Sequence, residues 1–200
     1  MINEDEIKDL CENAMNECNT CNGDPEIDCI DCTQGGKIEE IKKYIKDKIE
    51  YFKDRLNEIG IYEDCMVFSK IKTPGSIKHH HNKEYGLLAH TYEVMKICES
   101  IAIILCFTSE QEDELLFLAM IHDLGKIYEY EFDHVNGKWF KTDFGSHVDW
   151  IYYRLYADER VSSKRLAAHH GKVEWGSRFE PFDKISWALH LADMISAKCI

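Results

Sequence analysis

The sequence predicts a mainly α-helical protein: a helical bundle with one small inserted β-hairpin, preceded by a long amphipathic helix and a cysteine-rich N-terminal segment. Three observations predict it. Apolar residues recur at three- and four-residue spacing through most of the chain after residue 36, the pattern of one buried helix face. Only one stretch, "KIYEYEFDHVNGKWFKTDF" (Lys126–Phe144), alternates as a strand pair does, around Asn136-Gly137. Histidines and acids fall at the ends of the helical segments, one group per segment.

The bulk properties agree with one domain and a small appendage. An apolar fraction of 44% is ordinary for a chain with a buried core. No run of about 18 apolar residues occurs, so no membrane span is expected. The opening "MINEDEIKDL" is acidic and lacks the basic-then-apolar order of a secretory signal, so the expected location is the cytoplasm. Net charge is −13, but residues 1–36 hold ten Asp/Glu and one Lys, a local −9, leaving −4 for the other 164 residues. Such a surface opposes extended binding along nucleic-acid phosphates while leaving room for a local basic pocket.

The elements follow in order. Residues 1–36 form the acidic, cysteine-rich segment, where Cys18/Cys21 and Cys29/Cys32 make two CxxC pairs seven residues apart. Four thiolates on short loops suit tetrahedral zinc or an iron–sulfur cluster. The alternatives are an acidic tail with free thiols or a disulfide pair. Residues 37–77 comprise a helix and a connector. Ile38, Ile41, Ile45, Ile49, Phe52, Leu56 and Ile59 line one helix face ending at Gly60, a packing surface or a dimer seam. The connection over 61–75 reads as irregular or extended. Residues 78–200 form the main domain, with helices expected at 84–105, 109–124, 146–157, 159–169 and 183–199 and the hairpin between the second and third.

Within that domain His90, His122-Asp123, His147, His169-His170 and Asp193 come from different helical segments. Ligands projecting inward from several facing helices are what a metal site in a bundle core requires. Imidazole and carboxylate ligands suit manganese, iron, zinc or nickel better than calcium. Adjacent helical residues point about 100° apart, so His122 and Asp123 reach one ion only where the helix ends, and Gly125 supplies an ending. Taken singly, each of these histidines has a plainer reading as a hydrogen-bonded core residue.

The ordered motifs "HHHNKEYGLLAHT", "HDLGK", "GSH", "HHGKVEWGS" and "ALHLAD", over roughly residues 78–198, resemble the HD-domain superfamily of metal-dependent phosphohydrolases. The phrasing is closest to the HD domain of bacterial 3′→5′ exoribonucleases. The resemblance does not reach residues 1–77, where those nucleases carry an OB-fold that grips single strands.

The resemblance implies a two-metal phosphodiesterase. His90, His122, Asp123 and Asp193 would hold one divalent ion (manganese, iron, nickel or zinc), and Asp123 would bridge to a second held by His147 and one or both of His169 and His170. Asp123 and Lys126 would be the catalytic residues, with Lys126 on a substrate phosphate as a point charge. His80 or His81 would lie near the substrate, with Lys172 and Arg178 assisting. The implied substrate is a nucleotide, cyclic nucleotide or short oligonucleotide. Two further readings use the same residues: a nucleotide-sensing or partner-binding module without turnover, and a di-iron oxygenase. A homodimer is compatible with each.

Overall fold

The structure, a computed structural model, describes residues 35–77, 81–157 and 159–198. Helix α1 spans Gly35–Tyr51 and α2 spans Lys53–Glu58. Together they form the expected amphipathic helix, with a shallow break at Phe52. The Phe52 and Leu56 amides still donate to the Lys48 and Phe52 carbonyls at 3.0 Å. Every apolar residue of the predicted face, Ile38 to Ile59, is buried in the chain's own core, where α1 packs on α4 (Gly86–Ile104). The helix ends in the paired bonds of a Schellman motif: Ile61 N–H to Leu56 O at 2.9 Å and Gly60 N–H to Asn57 O at 3.1 Å.

The connection expected to be irregular begins with another helix, α3 (Tyr62–Phe68). Its cap residue Ile61 and its buried residues Cys65 and Phe68 keep helical spacing. A helix of seven residues is too short to be stable alone, and burial of that stripe is what holds it.

The bundle proper consists of α4, α5 (Ser109–Ile121), α7 (His147–Leu155), α8 (Arg160–Leu166) and α9 (Lys184–Lys198). Helix α5 opens with a capping box in which Thr108 Oγ1 accepts from Gln111 N–H and Gln111 Oε1 accepts from Thr108 N–H. Its residues Leu115 to Ile121 are all buried, so α5 is central, and α4 and α9 pack on it and on each other. Asp183 starts α9 by accepting the Ser186 N–H at 2.8 Å.

Between α5 and α7 lie the short α6 (Lys126–Glu129) and the hairpin, β1 (Tyr130–Asp133) paired antiparallel with β2 (Lys138–Lys141). The connecting loop spans four residues, 134–137. The Asp133 carboxylate accepts the Val135 and Asn136 amides, and Gly137 (φ +63°) closes the loop onto the Asp133 carbonyl.

One ionic network fixes the site-bearing helices against the front of the fold. Arg55 donates two bonds to Glu159 (2.7 and 2.6 Å) and one to Glu114 (2.7 Å), with its guanidinium 3.6 Å from the Phe117 ring centre. Glu114 accepts in turn from Ser162 and Arg165, and Arg165 reaches Asp183. Helices α2, α5, α8 and α9 thus share one half-buried cluster. Among the described residues no helix is long and apolar enough to cross a membrane.

Candidate metal centre

The chain brings His90, His122, Asp123, His147, His169, His170 and Asp193 to one buried point. His90 lies in the second turn of α4. The last regular residue of α5 is Ile121, and His122 to Gly125 continue as tight turns bonded Leu124 N–H to Ile121 O and Lys126 N–H to Asp123 O. At this helix end the two adjacent side chains reach one centre, His122 Nε2 lying 3.5 Å from Asp123 Oδ2. Gly125 is right-handed (φ −61°), so it does not end the helix through a left-handed turn as the sequence implied. It permits a close approach instead: a β-carbon there would lie 2.9 Å from His147 Cα. His147 is the first residue of α7, with Ser146 as its cap. His169 and His170 follow α8, and Asp193 sits midway along α9.

The residues form two groups, His90/His122/Asp193 and Asp123/His147/His169/His170; within each, one potential ligand atom per residue lies within 4.8 Å of the others. In the first, His90 Nε2 is 3.1 Å from Asp193 Oδ1 and 3.2 Å from His122 Nε2. Asp123 Oδ2 approaches the same two imidazole nitrogens at 3.4 and 3.5 Å. Its other oxygen, Oδ1, lies 3.2 Å from His147 Nε2 and 3.7 Å from His169 Nε2. A single carboxylate therefore addresses both groups.

Four of the histidines are held from behind. His122 and His169 donate Nδ1–H to the Ala119 and Leu166 carbonyls at 2.7 and 2.6 Å. His147 donates to Glu129 Oε2 at 2.6 Å, and His90 to Ser196 Oγ at 2.9 Å. Ser196 donates onward to Glu93, which also accepts from His81. With Nδ1 committed outward, each Nε2 presents a lone pair to the centre. Two such nitrogens 3.2 Å apart repel unless a cation lies between them. In the second group Asp123 Oδ1, His147 Nε2, His169 Nε2 and His170 Nδ1 are buried without a hydrogen-bond partner. Buried polar atoms are seldom left so. The donor set and the orphaned atoms fit divalent cations.

The electrostatics of the buried groups are tightly coupled through Asp123. Burial opposes the charged form of Asp123, but Lys126, His122 and His147 hold its carboxyl well below the usual range. Asp193 is likewise lowered against its burial by His90, His122 and His169. Burial pulls His90 down to about 4 and lowers His169 and His170. Burial thus favours the neutral, metal-binding form in these three, whereas in His122 and His147 the neighbouring Asp123 outweighs burial and raises the imidazole.

The remaining expected residues lie in varied places. Lys126 is buried, 2.6 Å from Asp123 Oδ2 and 3.0 Å from the Gly75 carbonyl. His81 is buried against Glu93. Lys172 is exposed over the Trp175 ring, and Arg178 pairs with Asp149 at 2.7 Å. His80 and the four cysteines Cys18, Cys21, Cys29 and Cys32 lie outside the described residues. Sequence reasoning missed Glu129, Glu93 and Ser196, because a carboxylate or hydroxyl that serves a ligand from behind has no spacing rule of its own. It also passed over His190 in "ALHLAD", which donates to the His169 carbonyl at 2.8 Å.

Comparison with known proteins follows the same lines. The chain is 28% identical over 134 residues to the 3'-5' exoribonuclease YhaM of Listeria monocytogenes serovar 1/2a, covering 62% of this chain and 42% of that protein. Against the proteins of the same name from Bacillus velezensis and Bacillus subtilis, identity is 29% and 28%, with 43% and 42% of each covered. The chain thus spans less than half the length of these curated relatives. No solved structure matches it. The sequence profile of the HD domain matches residues 87–198, more than half the chain and every residue of the two groups. The chain belongs to the HD domain family.

Proposed function

We propose that the protein is a two-metal phosphodiesterase that hydrolyses short single-stranded RNA or a related nucleotide diester. One observation carries the reading: the two oxygens of Asp123 face different clusters of inward nitrogens, as a carboxylate bridging two ions requires. The names of the curated relatives support the RNA class.

His90, His122, Asp123 and Asp193 would hold one ion, and Asp123, His147, His169 and His170 the other. When bound, the pair supplies an activated water and Lewis acidity toward the phosphoryl oxygens. The chain's own contribution is positional. Glu129 orients His147, and the Ser196–Glu93 pair orients His90. The Lys126 ammonium steadies Asp123 and ties it to the backbone at Gly75. That contact supports an orienting role for Lys126 more directly than the phosphate contact expected from sequence.

The test is turnover by the purified chain, loaded with manganese, of bis(p-nitrophenyl) phosphate and of labelled RNA oligonucleotides. Diester cleavage abolished by Asp123→Ala is expected. Full metal content with no turnover of either substrate would contradict the reading and favour the nucleotide-sensing alternative.

A further inference from the structure

Aromatic exposure in this chain is uneven. Among the described residues, seven of the eight exposed Tyr, Phe and Trp side chains lie between residues 128 and 182, the part of the chain around His147, His169 and His170. Residues 126–182 hold nine Lys/Arg and nine Asp/Glu, a balance of zero in a chain of net −13. The strongest electrostatic objection to a polyanion is therefore absent here.

Four cations of this region, Arg154, Arg160, Lys172 and Arg178, rest on its rings. The Lys172 ammonium lies 5.0 Å from the Trp175 ring centre. The Arg178 guanidinium lies 4.6 Å from Tyr152 and 5.0 Å from Tyr153, and Arg160 lies 5.4 Å from Tyr156. Tyr152 touches Tyr153 and Tyr156 at ring-centre distances of 5.3 and 5.2 Å. The region adjoins the metal centre along the chain. His170 leads directly into the loop bearing Lys172 and Trp175, and a β-carbon on Gly176 would lie 3.3 Å from His170 Nδ1. That loop then delivers Arg178 onto α7, whose first residue is His147.

We infer that Trp175, Tyr153 and Tyr156, with Lys172, Arg178 and Arg160, form a stacking track that holds a single-stranded oligonucleotide leading into the metal centre. Exposed rings interleaved with cations bind single strands by stacking on unpaired bases, with backbone phosphates met by the cations. A paired duplex hides its base faces and cannot use such a surface. The inference deepens the proposed phosphodiesterase reading and rests on it for the strand's destination, though not for its binding.

Binding is measured on the full chain in EDTA, by fluorescence anisotropy of a labelled single-stranded RNA of about twelve nucleotides, site sizes for such tracks being about 4–16 nucleotides. Trp175→Ala and Tyr153→Ala should each weaken binding roughly tenfold, while Tyr153→Phe, which keeps the ring, should retain wild-type affinity. With manganese, the ratio of RNA to bis(p-nitrophenyl) phosphate turnover should fall in the two alanine variants. Wild-type affinity in both alanine variants would overturn the inference, as would equal affinity for a duplex. So would a wild-type dimer that Tyr153→Ala dissociates with RNA binding unchanged, since the rings would then serve a second copy of the chain. Ring-dependent RNA binding without turnover would support the track and count against the catalytic reading alone.

Discussion

The Lys126 ammonium lies 2.6 Å from Asp123 Oδ2, the same oxygen that faces His90 and His122. Both partners are buried, so each is the other's main compensation until a metal binds. Lys126→Met breaks a buried ion pair, a loss that typically costs about 3–5 kcal/mol, and leaves the carboxylate facing imidazoles alone. The variant should therefore unfold at a clearly lower temperature in EDTA, and manganese should restore much of the loss. Thermal unfolding with and without metal checks it; an equal loss in both states would show that Lys126 acts elsewhere.

Gly125→Ala should harm the centre more than the fold. The added methyl meets His147 Cα and Cβ at 2.9 Å and must push the start of α7 away from Asp123. Overpacking of this kind costs about 1–3 kcal/mol. Metal content measured on the folded variant should fall on the His147 side first, leaving closer to one ion than two.

His90 has its support at the far end of the chain. Ser196→Ala removes the hydroxyl that accepts from His90 and donates to Glu93. Loss of such a supporting bond typically lowers metal affinity or activity by about 10–100-fold. Titration with cobalt, followed by its visible absorption, should show that weakening, and Ser196→Thr should recover part of it.

A pH effect is expected at Asp183, away from the centre. Burial would raise its carboxyl, but Arg165 and the Ser186 amide hold it below the ordinary value. A carboxyl lowered by folding stabilises the protein above its unfolded pKa, about 3.9, and that contribution disappears as pH falls through the lower folded value. Denaturant melts of Asp183→Asn and wild type should differ at pH 7 and converge toward pH 3.

Much of this was legible in the sequence because the relevant signals are periodic or fall one to a helical segment, though His90 and Asp193 lie within their helices rather than at the expected ends. Ile38 through Ile59 announced a buried face, and the His and Asp motifs announced which helices must converge. The seven-residue α3 was not legible, since its stripe of Ile61, Cys65 and Phe68 is too short to stand out from background. Gly125 was legible as important but not for its actual reason, because its contact with His147 crosses 22 positions and exists only in three dimensions. The same holds for Glu129 behind His147 and Ser196 behind His90. Supporting bonds between distant residues leave no pattern in a single sequence.

The central claim is that Asp123 bridges two ions, and metal content tests it most directly. After loading with manganese and removal of free ion, elemental analysis of wild type should give about two ions per chain. His147→Ala should keep about one, held by the His90 group, whereas Asp123→Ala should lose both. An Asp123→Ala protein that is folded and retains both ions would contradict the account.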